Sequence, residues 1–207
     1  MNEKFYYIKY LKYKMKYLKE KEMQLGGGET DKSIFFFSKS KDYSEFSNFF
    51  LCSFTDTHEI KDGKLIVFNC NEQYFMYHKA KKFNPEVIPD ILRQKIPREI
   101  QKLGGKTRIT NFVDADWNAV KLQIMRRGLA LKFSQNEELK KKLLETGGKN
   151  LYEANEHDDY WGIGLGEEVA IVMENANPEV VFRGNELGKL LMEVRDLFQK
   201  NPDLIVK

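Results

Sequence analysis

Helical periodicity near the end of the chain is the sequence feature that most limits its possible folds. In the segment 186–199, apolar residues recur at i, i+3, i+4 and i+7, and they are Leu187, Leu190, Leu191, Val194, Leu197 and Phe198. This spacing predicts a helix with one apolar stripe that must pack against a core. Helices are also predicted at 116–133 and 137–145, the second ended by Gly147-Gly148.

Shorter patterns fill the first half of the chain. Short strands are predicted at 34–37 and 65–68, and helices at 72–82, 86–94 and 97–103. The stretch from 165 to 182 is predicted to contain a hairpin. Helices outnumber strands and do not alternate regularly with them, so the predicted class is α+β: one helix-dominated domain with a few short strands.

A length of 207 residues suits one domain with an extension. Residues 1–25 hold seven of the 34 basic and three of the 31 acidic residues, so the remainder carries 27 basic against 28 acidic residues. We therefore predict a Lys/Tyr-rich helical leader with a Gly linker at 1–28 and one globular domain at 29–207. The near-neutral body lacks the positive patch of a nonspecific nucleic-acid binder.

The leader itself leaves several functions open. A solvated appendage, a self-association helix and an anchor on an acidic surface all fit its composition. It also resembles the Lys/Tyr-rich leaders of proteins encoded by large viruses of amoebae.

Several classes of protein and of site are not expected. No apolar run approaches the roughly 20 residues of a membrane helix, and no signal peptide is evident, so a cytoplasmic location is predicted. The two cysteines predict a reducing compartment. Nucleotide-binding, serine-hydrolase and zinc-protease motifs are missing, and the three histidines lack metal-ligand spacing. We predict neither a metal nor a cofactor.

An acid and a base share the apolar face of the helix predicted at 72–82. The residues on this face are Glu72, Phe75, Met76, Lys79 and Phe83. Burying either charge costs several kcal/mol unless it is paired. One interpretation is that both charges reach solvent or form structural pairs. The other is that Glu72 faces a cleft while Lys79 binds an anionic substrate group.

In the helix predicted at 116–133, the inward stripe is Trp117, Val120, Ile124 and Leu131. The cations Lys121, Arg126, Arg127 and Lys132 are interpreted as a mostly solvated face. Gly128 costs about 1 kcal/mol relative to Ala in mid-helix, which indicates that another element packs closely there. Trp117 fits either a core position or a wall that stacks on a flat base.

Two later segments carry polar chemistry. The loop 153–164 combines four acids (Glu153, Glu156, Asp158 and Asp159) with Tyr160, Trp161 and two glycines, a composition that fits either sugar binding or an ordinary turn. Asn185 is predicted to cap the last helix. The free N–H groups at that helix end could bind a substrate phosphate.

Taken together, these segments resemble the NADAR (YbiA-like) N-glycosidase family from about Ile34 to Phe198. The matching pieces in chain order are Glu45-Phe46-Ser47-Asn48-Phe49, Asn71-Glu72-Gln73-Tyr74-Phe75 with Lys79, the Trp117 helix with Met125, Leu129, Lys132 and Phe133, Leu143-Leu144, Thr146-Gly147, Leu151-Tyr152-Glu153, Asp158-Asp159-Tyr160-Trp161-Gly162, Gly184-Asn185-Glu186-Leu187-Gly188, Leu191-Met192 and Arg195. Asn71 and Gln73 depart from the Ser and His common in the family, and 165–183 resembles an insertion.

The resemblance implies hydrolysis of a ribose C–N bond. YbiA-like members act on the phosphoribosylamino-pyrimidine intermediates of riboflavin biosynthesis, releasing ribose 5-phosphate. Other members remove ADP-ribose from guanine bases, and only this alternative involves nucleic acid. A non-catalytic ADP-ribose-binding module is a third possibility.

The resemblance also implies the site. Glu72 and Asp158 are expected to be the catalytic acids and to meet across one ribose-sized cleft. The expected substrate-binding residues are Asn48, Phe49, Lys79, Trp117, Trp161 and Asn185. The expected partner is a small ribosylated molecule, and the sequence gives no oligomeric state.

Overall fold

The computed structural model describes Lys9, Tyr10, Tyr13 and residues 28–207. The rest of the predicted leader and most of its Gly linker lie outside the described residues. The strands and helices, in chain order, are β1 (Ser33–Phe36), β2 (Phe54–Lys61), β3 (Lys64–Phe68), α1 (Asn71–Phe83), α2 (Ile88–Arg93), α3 (Pro97–Leu103), α4 (Asp114–Asn118), α5 (Lys121–Ser134), α6 (Glu137–Glu145), β4 (Asn150–Glu153), α7 (Glu167–Ala176) and α8 (Glu186–Lys200). The predicted α+β class is confirmed. In the described part of the chain, no helix has the length and apolar character needed to cross a membrane.

The described residues form two compact units. Residues up to Ser47 and Gly148–Lys189 make the first unit, and Asn48–Gly147 with Leu190–Lys207 make the second. In the first unit, β1 pairs in parallel with β4, with Ser33 opposite Asn150 and Phe36 opposite Glu153.

Helix α7 packs on this strand pair in the first unit, and the predicted hairpin at 165–182 is wrong. The β-branched residues Val169, Ile171 and Val172 favour strands only weakly. Their burial in a cluster with Phe35 stabilises a helix instead. Phe182, after this helix, contacts the ring of Phe35 edge-on at 5.6 Å.

In the second unit, β2 and β3 form an antiparallel hairpin around Asp62-Gly63, both with positive φ. The β2 strand was not predicted because two inward positions carry acids. Asp56 accepts two hydrogen bonds from Arg127, at 2.6 and 2.7 Å, and Glu59 accepts one from Tyr77 at 2.8 Å. These pairs offset the cost of burying the carboxylates and let the strand join the core.

The helix predicted at 116–133 is two helices, α4 and α5. Val120 has φ −124° and ψ −18°, outside the helical range, and separates them. Neither Gly nor Pro marks this break in the sequence. The stripe predicted for α8 is confirmed, since Leu187, Leu191, Val194 and Phe198 are fully buried.

Gly128 allows α5 to lie directly against α1, as its position in mid-helix predicted. A Cβ at residue 128 would stand 2.1 Å from Asn71 Oδ1 and 2.7 Å from Tyr74 Cδ1. We expect Gly128→Ala to lower the free energy of unfolding by about 1–2 kcal/mol. The cost of overpacking, about 1–3 kcal/mol, exceeds the gain of about 1 kcal/mol in helix propensity. Urea denaturation measures the difference.

Gly148→Ala is the matched control, since a Cβ there would meet no atom within 4 Å. Its stability is expected to stay within about 1 kcal/mol of the parent chain. Equal stability of the two variants would show that α1 and α5 are not closely packed at residue 128.

Candidate functional site

Glu72 occupies the first turn of α1 in the second unit, and only 4% of its surface is exposed. Its backbone N–H donates to Asn48 O at 3.0 Å. The positive end of the helix dipole favours a carboxylate at this position. The structure therefore rules out the interpretation in which Glu72 extends from the edge of the stripe into solvent.

The side chain of Asn48 fixes this first turn. Its Oδ1 accepts a hydrogen bond from Asn71 Nδ2 at 2.8 Å. The amide nitrogens of both residues approach Met125 Sδ at 3.2 Å. Asn48 thus holds the start of α1 from both its backbone and its side chain, while Phe49 beside it is half-buried.

Lys79 lies two turns after Glu72 on the same helix and is half-buried. Its Nζ donates to Gly104 O at 2.7 Å and lies 4.6 Å from the centre of the Phe112 ring. Burial lowers the pKa of Lys79, and the negative charge of Glu72 opposes that shift. The acid and the base are therefore electrostatically coupled, as their shared helix face suggested.

Trp117 is 6% exposed and packs against the helix that carries Glu72. Its ring lies 4.9 Å from Phe75 and 6.4 Å from Phe83. Most of the indole surface is therefore part of the core, which favours the first of its two sequence interpretations. Through these contacts Trp117 supports the inner face of α1.

Lys132 is fully buried, so its assignment to a solvated face was wrong. Its Nζ lies 5.6 Å from the ring centre of Phe50 and 5.1 Å from that of Phe133. Burial raises the pKa of the Cys70 thiol to about 12; the charge of Glu72 adds to the shift and that of Lys132 opposes it. Both charges therefore act on the residue that precedes α1. Lys132 stands between two apolar residues, Leu131 and Phe133, and this is the sequence signal of its burial.

Asp158 organises the polar loop of the first unit. Its Oδ1 accepts hydrogen bonds from the backbone N–H groups of Tyr160 and Trp161, at 2.9 and 2.8 Å. The carboxylate remains partly exposed, as does Trp161, whose ring meets Tyr160 edge-on at 5.2 Å. The loop therefore presents an acid and two aromatic rings from one turn.

The side-chain amide of Asn185 does not cap α8 as predicted. Its Nδ2 donates to Leu151 O at 2.8 Å, and its Oδ1 accepts from Glu153 N at 3.0 Å. The side chain is 2% exposed and bonds to β4 instead of capping α8. Its φ of 66° is a conformation that Asn adopts more readily than most residues. We assign Asn185 to positioning of the loop.

Two of the N–H groups at the start of α8, where the sequence suggested a phosphate site, already have partners in the protein. The N–H groups of Glu186 and Leu187 donate to the carbonyls of Tyr160 and Trp161 at 3.0 and 3.1 Å. These loop carbonyls take the place of the expected anion.

The expected site residues are divided between the two units. The second unit contains Glu72, Asn48, Phe49, Lys79 and Trp117, and the first contains Asp158, Trp161 and Asn185. Within residues 28–207 and the three described leader residues, no group of three or more His, Cys, Asp or Glu side chains could hold a metal ion.

Comparison with known proteins gives consistent matches. The model of the NADAR domain family matches residues 35–199. An N-glycosidase of Acanthamoeba polyphaga mimivirus is 36% identical over 173 residues, which cover 81% of this chain and 97% of that protein. A chloroplastic riboflavin biosynthesis protein of Zea mays, PYRR, is 32% identical over 171 residues, 79% of this chain and 25% of that protein.

A solved structure is similar as well. The NMR structure of the Escherichia coli protein YbiA aligns with a TM-score of 0.61 at 30% sequence identity and covers 86% of this chain and 92% of that chain. The E. coli protein is named N-glycosidase YbiA, and it is 34% identical over 167 residues, 80% of this chain and 88% of that protein.

The buried amide of Asn185 yields a stability test. We expect Asn185→Ala to lower the free energy of unfolding by about 1–3 kcal/mol, because it leaves a buried N–H and a buried carbonyl of β4 without partners. Thermal denaturation followed by circular dichroism measures the loss. Asn201→Ala is the control, since Asn201 also bonds a backbone carbonyl, Leu197 O, but is exposed. Equal stabilities would contradict the positioning role.

Proposed function

This chain belongs to the NADAR family, and from that membership we propose that it hydrolyses the ribose C–N bond of phosphoribosylamino-pyrimidine intermediates of riboflavin biosynthesis. The products are ribose 5-phosphate and the free aminopyrimidine. The relatives named N-glycosidases support the reaction type. The maize relative named a riboflavin biosynthesis protein supports the substrate class.

The buried carboxylate of Glu72 is the observation that carries this proposal. As the C–N bond lengthens, positive charge develops on the ribose ring. A carboxylate that is already fixed stabilises this charge more in the transition state than in the ground state. Glu72 meets the requirement because Asn48 and Asn71 hold its helical turn.

Asp158 is proposed as the second acid. A carboxylate that orients and deprotonates water must be open to solvent, and Asp158 is only partly buried. Its turn fixes one oxygen, Oδ1, through two N–H groups. The different surroundings of the two acids therefore favour Glu72 as the charge stabiliser and Asp158 as the group that activates water.

Lys79 is proposed to bind the substrate phosphate. It follows Glu72 by seven positions in the helix, which corresponds to about 10.5 Å along the axis. A group at the anomeric carbon and a group at the 5-phosphate of one ribose need a separation of this order. Phe49 and Trp161, both partly exposed, are proposed to contact the base, and Trp117 supports α1 from within the core.

Replacement of the two acids tests the mechanism. We expect Glu72→Gln and Asp158→Asn each to reduce kcat/KM by about 10²–10⁴-fold, because each removes a charge that the transition state uses. Mass spectrometry of released ribose 5-phosphate measures the rate. Circular dichroism should show that both variants fold.

Glu137→Gln is the matched control, since Glu137 is an exposed acid in the first turn of α6. It loses the same interaction with a helix dipole and should retain full activity. Full activity of Glu72→Gln would exclude Glu72 as a catalytic residue. Release of ADP-ribose from ADP-ribosylated guanine, without cleavage of the pyrimidine substrate, would replace the proposed substrate.

A further inference from the structure

Lys79 and Lys106 approach the same aromatic ring in the second unit. Their Nζ atoms lie 4.6 and 5.9 Å from the centre of the Phe112 ring. The charge of Lys106 adds to the effect of burial in lowering the pKa of Lys79. The two like charges repel each other, and an anion that contacts both ammonium groups would relieve the repulsion.

The backbone after α3 creates this arrangement. Gly104 O accepts the hydrogen bond from Lys79 Nζ, which fixes the ammonium group. A Cβ on Gly104 would stand 1.9 Å from Met76 Sδ and 2.8 Å from Met76 Cγ, so the Met76 side chain fills the space beside residue 104. Lys106 follows two residues later and reaches the same ring.

Neighbouring cations have closer acidic partners. Lys102 lies 2.7 Å from Glu99, and Arg108 lies 2.9 Å from Asp90. Lys106 is 4.0 Å from Asp114, with both side chains about three-quarters exposed. Such a pair contributes little to stability, so Lys106 can turn toward another anion at low cost.

We propose that Lys79 and Lys106, above the ring of Phe112, form a subsite for a phosphate group on the ribose 5-carbon. This inference rests on the proposed function for the position of the sugar. Lysine binds phosphate as a compact point charge and donates up to three hydrogen bonds. A phosphate monoester and the pyrophosphate of ADP-ribose present the same chemistry to these two cations.

Calorimetric titration of the full chain with ribose 5-phosphate and with ribose tests the subsite without turnover. We expect Lys106→Met to bind ribose 5-phosphate about tenfold more weakly, the effect of one lost charge-assisted hydrogen bond. Its affinity for ribose should not change. With a phosphorylated substrate, KM should rise while kcat changes little.

Two further variants sharpen the test. Lys102→Met, which removes an exposed lysine from the same segment, should bind ribose 5-phosphate like the parent chain. Asp114→Asn should bind it more tightly, because it removes the negative charge nearest Lys106. Equal affinity of Lys106→Met and the parent chain, or equal binding of ribose and ribose 5-phosphate by the parent chain, would overturn the subsite.

Titration with ADP-ribose separates the two phosphate sources. Tighter binding of ribose 5-phosphate than of ADP-ribose supports a subsite for a phosphate monoester. Tighter binding of ADP-ribose overturns the monoester assignment and indicates a subsite for a pyrophosphate. If the pyrimidine substrate is not cleaved but Lys106→Met still loses affinity for ribose 5-phosphate, the proposed function fails while the subsite stands.

Discussion

Burial of helix α1 is the constraint on which the second unit depends. Nine of its thirteen residues are buried, so the helix is enclosed rather than laid on a surface. Two glycines let neighbouring segments pack against this helix. Gly128 of α5 lies against Asn71, and Gly104, which follows α3, lies against Met76. Because side chains of α1 pack closely against both glycines, α1 cannot shift without disturbing these contacts. A fixed acid and a fixed base are the preorganised charges that catalysis and anion binding require.

Buried carboxylates serve different purposes in this unit. Although burial favours the neutral acid, hydrogen bonds from Arg127, His58 and Tyr74 hold the pKa of Asp56 well below its usual range. That carboxylate therefore joins β2 to α5 and α1 at any ordinary pH. Glu72 instead lies in the first turn of a helix, two turns before the half-buried Lys79. The structural pairs between β2 and its neighbours secure the scaffold that presents Glu72.

The sequence predicted the parts of the fold whose physical signal is local. The stripe of α8 and the close packing at Gly128 follow from periodicity and from the cost of glycine in a helix. The strand β2 was not predicted from the sequence because Asp56 and Glu59 occupy inward positions. The residues that pair with these acids come from distant segments. Lys132 was assigned to the wrong face because its charge was given more weight than its apolar neighbours, Leu131 and Phe133. The position of the Lys79 ammonium group depends on Gly104 O, which no local pattern reveals.

The segment 184–188 shows how a motif can position a loop through its backbone contacts. A Cβ on Gly184 would stand 2.2 Å from Asp159 O, and one on Gly188 would stand 2.0 Å from Leu151 O. The two glycines therefore let this segment lie directly against the acidic loop and β4, and Asn185 joins β4 through both ends of its amide. The loop that carries Asp158 is thus fixed by backbone contacts. This explains why these residue types occur together at the start of α8, where loop carbonyls accept the N–H groups of Glu186 and Leu187.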